Sequence, residues 1–135
     1  MKKVLISGAV AGFILFIVSI VSLYLTVLIL PNLALEYYSP AFKSTSLGKA
    51  LYFIHPFIVS FALAWFWDRF KGQLGKSFWI KDLEFGVIYS LVATLPCMWI
   101  IYSAMAVTFE QVLTWFVYGF IQAVIAGVVF ARLNP

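Results

Sequence analysis

Polar residues interrupt this chain so rarely that the apolar stretches between them set the reading. Four runs, Val4–Leu30, Leu47–Trp67, Leu83–Ala106 and Phe109–Ala131, are each long enough to cross a bilayer. A helix rises about 1.5 Å per residue and the hydrocarbon core is about 30 Å thick, so about 20 apolar residues suffice. Lipid offers no hydrogen bonds to exposed backbone, which leaves helices or a closed barrel as spanning forms. A barrel needs shorter segments of alternating polarity, a pattern this sequence lacks. The chain is therefore expected to be an all-α, polytopic membrane protein. It forms one domain, residues 1–135, of four transmembrane helices in an up-down bundle.

Composition agrees: hydrophobic residues make up 64% and charged residues 10% of the chain, far from the usual soluble mixture. The interval 31–46, the longest between runs, is too short to enclose a soluble core. Cys97 is the single cysteine, so an internal disulfide is excluded. The net charge of +4 does not point to nucleic acid, because the basic residues cluster just outside the apolar runs. There they meet anionic headgroups and act as topology signals. Met1-Lys2-Lys3 before an apolar run imitates a signal peptide, but the run continues to Leu30 with no small-x-small site after it. Signal h-regions are only about 7–15 residues, so a retained first helix is expected.

Lys2, Lys3, Arg69, Lys71, Lys76, Lys81 and Arg132 fall on one side of the membrane, and only Lys43 and Lys49 on the other. The positive-inside rule then puts both termini in the cytoplasm of a multi-pass cell-membrane protein. Pro31 is expected to end the first helix and open a loop carrying Tyr37, Tyr38 and Phe42 at headgroup depth. Ser44-Thr45-Ser46 supplies N-cap oxygens for the second helix. Phe78-Trp79-Ile80 is expected on the membrane surface between Lys76 and Lys81. Thr108-Phe109-Glu110-Gln111 reads as a capping box; the connection it closes is so short that the third and fourth helices must be antiparallel neighbours.

Burial of apolar surface cannot hold helices together in lipid, so close packing of small residues must. Gly8, Gly12, Ser19 and Ser22 form such a seam on the first helix, Gly86 and Ser90 on the third, and Gly119, Ala123 and Gly127 on the fourth. These seams serve either the monomer or an oligomer. The candidate chemistry is a polar layer of His55, Thr94, Cys97, Tyr118 and Gln122 at similar depth. Intramembrane ionisable groups are functional hypotheses by default. Three readings of His55 stay open: an imidazole satisfied inside the bundle, a ligand or proton contact, and metal or haem ligation. One His and one Cys are too few for a closed zinc site, and no metal or other cofactor is expected. There is no phosphate loop, HExxH, GxSxG or paired-Cys motif.

Tyr37-Tyr38-Ser39-Pro40, Gly48-Lys49-Ala50 soon after it, and Glu84-Phe85-Gly86 opening the third helix are arranged along the chain in a distinctive order. This order resembles a prokaryotic family of small four-helix membrane proteins with no assigned function. In that family the first of these motifs begins with Trp, where this chain has Tyr37. The resemblance implies the fold and topology and carries no reaction. The function expected first is a non-catalytic bundle associating with itself or other membrane proteins, with the lipid bilayer as its medium. The alternative is a small transporter or channel for an apolar or weakly polar solute that uses the layer around His55. A lipid-processing or redox enzyme ranks third, since it requires His55 and Cys97 in contact.

Overall fold

A computed structural model describes residues 1–39, 42, 45–75 and 77–135, except for the side chains of Phe78 and Trp79. The described residues form helices and no strand: α1 (Lys2–Ile29), α2 (Pro31–Glu36), α3 (Ser46–Phe70), α4 (Phe78–Tyr89), a π-turn (Ser90–Thr94), α5 (Leu95–Ala104) and α6 (Phe109–Leu133). Four rods, Lys2–Ile29, Ser46–Phe70, Ile80–Ala104 and Phe109–Leu133, are long and apolar enough to span a membrane. Several run past the apolar stretches and carry Lys2, Asp68, Arg69 and Arg132 on their ends. Backbone hydrogen bonding, and not side-chain polarity, decides where a helix stops.

Two local expectations need amendment. Pro31 does end α1, but it also starts α2, at a first-turn position where its missing N–H costs nothing. The segment after it is thus a helical turn and not an open loop. Thr108 caps α6 by accepting the Gln111 N–H at 3.3 Å, but the Gln111 side-chain oxygen does not accept the Thr108 N–H in return, and its amide nitrogen is left without a partner. Thr45 is the residue that caps α3, accepting the Gly48 N–H at 3.1 Å. Ser44 and Lys76 lie outside the described residues, as do the side chains of the expected Phe78-Trp79 surface group.

Proline at Pro96 acts on the third rod one turn early. The Leu95 N–H bonds to the Ser90 carbonyl, five residues back, and widens the Ser90–Thr94 turn. Pro96 follows with no N–H to give, so the regular ladder resumes only above it.

Small residues set which rods touch. A Cβ added at Gly8 would lie 2.7 Å from the Phe61 ring, and one at Gly12 would lie 2.7 Å from both the Phe57 ring and Ser60 Oγ. These contacts seat α1 antiparallel on α3. Gly86 meets Val124 and Phe120, Gly127 meets Asp82 and Phe85, and Gly119 meets Thr94. The third rod therefore runs antiparallel along α6. A hydrogen bond between Ser19 and Tyr118 ties α1 to α6.

Both termini and the connection 71–77 share one end of the bundle. The core is tightest there: Trp67, Phe85 and Phe130 are fully buried, with ring centroids 5.2 to 6.3 Å apart. Asn134 closes this end. Its carbonyl accepts from Trp67 Nε1 at 2.9 Å, its amide oxygen accepts from Lys71 Nζ at 2.8 Å, and its amide nitrogen donates to Asp68 at 2.9 Å. The opposite end is looser, for α5 has no buried residue and the buried face of α3 begins only at Pro56.

Candidate functional site

Ser19, Tyr118 and Gln122 form a hydrogen-bonded chain at the centre of the bundle. The Ser19 hydroxyl donates to the Leu15 carbonyl at 2.8 Å, so its contact of 2.5 Å with Tyr118 must be a bond donated by the phenol. Gln122 Nε2 in turn donates to the Tyr118 oxygen at 2.8 Å. Every hydroxyl hydrogen in the chain is used, in one direction, from α6 to α1. A buried polar network closed in this way rigidifies the contact it bridges.

Thr94 reaches this layer from the third rod. Its methyl and hydroxyl lie 3.1 and 3.4 Å from where a Gly119 Cβ would stand. Thr94 Oγ1 and Ser90 Oγ are nonetheless buried without a hydrogen-bond partner. The comparison with the other hydroxyls is informative. Ser7, Ser19, Thr26, Ser60, Ser103 and Thr114 all donate to a carbonyl three or four residues back, the usual outlet for a hydroxyl on an α-helix. Ser90 and Thr94 lie in the π-turn and make no such bond.

The expected five-residue layer is therefore not assembled. Tyr118, Gln122 and Thr94 are inside the bundle, whereas His55 and Cys97 are exposed on its outer surface. His55 falls outside because α3 presents Pro56, Ser60, Leu63, Ala64 and Trp67 inward, and His55 precedes that face by a residue. Cys97 belongs to α5, which buries nothing. The pair does not form a joint site. Among the described residues, no three His, Cys, Asp or Glu side chains gather as metal ligands would.

The packing residues divide by height. Gly8, Gly12 and Ser19 are buried and Ser22 is half-buried on α1; Gly86 and Ser90 are buried on the third rod. Ala123 and Gly127 are buried on α6, with Gly119 half-buried against Thr94. Above Thr94, Leu95, Pro96, Trp99 and Ile100 of the third rod line an open apolar hollow of about 390 Å³.

Two features escaped the sequence reading. Asp82 is 1% exposed, with neither carboxylate oxygen hydrogen-bonded, and it packs beneath Gly127. Its place at a helix end concealed this, although steps of four along the chain put Asp82, Gly86, Ser90 and Thr94 on one face. The second is a seal at the α2 end. Thr108 Oγ1 donates to Glu36 at 2.8 Å and Trp115 Nε1 donates to the Tyr37 hydroxyl at 2.7 Å, with Phe42 edge-on to Trp115. Burial pushes the Tyr37 phenol above its ordinary pKa, against the opposing pull of the Trp115 N–H bond.

Compared with known protein families, with curated proteins and with solved structures, the chain matches none.

Proposed function

We propose that this small integral membrane protein is a non-catalytic helix bundle that associates, through its membrane-facing surface, with itself or with other membrane proteins. One observation carries the reading. His55, the only histidine, stands exposed on the outer surface of α3 and is hydrogen-bonded to none of the described residues. It lies nine residues into a 25-residue helix, hence about 13 Å from its start and close to the bilayer midplane. Hydrocarbon cannot satisfy an imidazole, and polar groups at that depth characteristically find protein partners. The exposed outer half of the third rod adds further membrane-facing surface. By the distribution of Lys and Arg, the end that holds both termini is the cytoplasmic one. Reporter fusions at either terminus should report the cytoplasm, and an external reporter signal would reverse that orientation.

The test is the mass of the protein extracted in native lipid nanodiscs. A homo-oligomer or a fixed-ratio complex supports the reading; a monomer with no protein bound to it refutes it. The alternative, passage of a weakly polar solute, has one observation in its favour, the unpaired hydroxyls of Ser90 and Thr94, the latter beside Gly119. A monomer that retains a small molecule, and loses it on Thr94→Val substitution, would favour that alternative.

A further inference from the structure

The geometry points to a second copy of this chain as the partner of His55, joined to the first along α3 in a parallel, twofold-symmetric dimer. This rests on the association reading above and names its partner.

The surface concerned is a ridge of Leu51, His55, Ile58, Ala62, Trp65 and Arg69, all exposed. The positions advance by alternating steps of four and three, the spacing that keeps one seam in register in a left-handed helix pair. The opposite face of α3, Pro56 to Trp67, is already used against α1 and the core. A dimer through the ridge therefore leaves the fold of each protomer intact.

Three physical arguments select a second copy over lipid or an unrelated helix. First, copies of one membrane protein share a single orientation, so a twofold axis along the membrane normal brings each His55 to the same depth as its counterpart. Second, a neutral imidazole carries one donor and one acceptor, and two of them complete one N–H···N bond. An acyl chain offers neither group, and a different helix would need its own polar residue at that depth. Third, Ala62, about two turns below His55, lets the two backbones approach where a larger residue would hold them apart. A single polar group at a seam position also fixes register and stoichiometry, as a buried Asn does in coiled coils. The arginines at the end of the ridge do not oppose the pairing. Arg69 sits over the Trp65 ring at 5.5 Å, in the last turn of α3, where headgroups and salt screen like charges.

Exposed α5 does not compete for this role. Its exposed Leu95 and Ile100 are apolar and suited to lipid, while Trp99 and Tyr102 stand close to its end at Ala104, at the depth where amphipathic rings meet headgroups.

The experiment uses the full chain with Cys97→Ser, reconstituted in phosphatidylcholine vesicles, with one new cysteine at a time. Ile58→Cys and Ala62→Cys should form disulfide-linked dimers on mild oxidation. Val10→Cys and Leu113→Cys, which also face the membrane, should not. Energy transfer between labelled protomers on lipid dilution should show His55→Leu weakening the dimer by about threefold to tenfold, the usual range for one intramembrane hydrogen bond. His55→Gln, which keeps a donor and an acceptor, should restore most of the affinity. His55 is on the surface, so neither variant disturbs the core. Equal cross-linking at the control positions, or a His55→Leu dimer of unchanged strength, overturns the inference. A complex with a different protein and no ridge cross-links overturns the second copy but leaves the association reading standing. A bare monomer in native nanodiscs overturns both.

Discussion

Gly86 provides the sharpest test of how the bundle is held together. A Cβ at this position would lie 2.4 Å from Val124 Cγ2, 3.3 Å from the Phe120 ring and 3.4 Å from the Val124 backbone nitrogen. Carbon atoms pack at about 3.5–4.0 Å, so Gly86→Ala overlaps Val124 by about 1 Å. Val124 cannot turn away cheaply, because a β-branched side chain in a helix has one strongly preferred rotamer. Nor can the helix slide closer, given the backbone nitrogen behind it. Overpacking of this kind costs about 1–3 kcal/mol, while replacing a mid-helix Gly by Ala returns about 1 kcal/mol of propensity. The net expectation is a loss of about 1 kcal/mol in reversible unfolding from mild detergent. The decisive quantity is the coupling in a double-mutant cycle. Val124→Ala removes the overlapping methyl, so Gly86→Ala made in that background should become neutral or stabilising. The two changes should then depart from additivity by about 2 kcal/mol, well above the scatter for independent sites. Gly72→Ala, with nothing within 4 Å of the added carbon, is the control. Additive effects at Gly86 and Val124 would refute the claim that this contact sets the α4–α6 spacing.

Tyr118→Phe should cost about 1–2 kcal/mol in the same unfolding assay, because it strands Gln122 Nε2 and removes the donor to Ser19; a neutral result would mean that the chain is not formed. Thr94→Val replaces a hydroxyl that has no partner with a methyl and keeps the packing on Gly119, so it should be neutral or stabilising. A loss would reveal a bound water or solute. For Tyr37 the folded pKa stands above its ordinary value of 10.0, so at high pH the unfolded chain releases its proton before the folded one does. The associated stability is fully present below pH 10 and declines as pH rises through the folded value. Thermal unfolding should show this decline in the parent chain, and Tyr37→Phe should reduce its slope. An unchanged slope would place the phenol in water.

The seams show how far residue type can carry a reading. A Gly in an apolar helix marks close approach, and Gly8, Gly12, Gly86 and Gly127 all sit at helix contacts. Nothing in the sequence said which helix each one meets. The polar layer marks the limit of such reading. Depth along a helix follows from counting residues, and Thr94, Tyr118 and Gln122 lie near one another, through the Gln122–Tyr118 bond and the Thr94–Gly119 contact. Angular position does not follow, because helices that are hydrophobic all round carry little amphipathic signal. His55 and Cys97 thus face outward. Asp82 shows the converse error: a charged residue at a helix end reads as solvated until a neighbouring helix, here at Gly127, covers it.

Number, length and antiparallel succession of the helices follow from the chain alone, because the bilayer imposes a minimum apolar length and lipid enforces backbone pairing within each segment. The short connection at Thr108 adds the pairing of the last two rods. Which face of each helix turns inward was decided elsewhere, by steric fit between glycines on one rod and Phe57, Phe61 or Val124 on another. So was the π-turn before Pro96. Lipid and protein interior are equally apolar, so hydrophobicity cannot tell them apart. Shape complementarity between helices can, and it exists only once the helices have met.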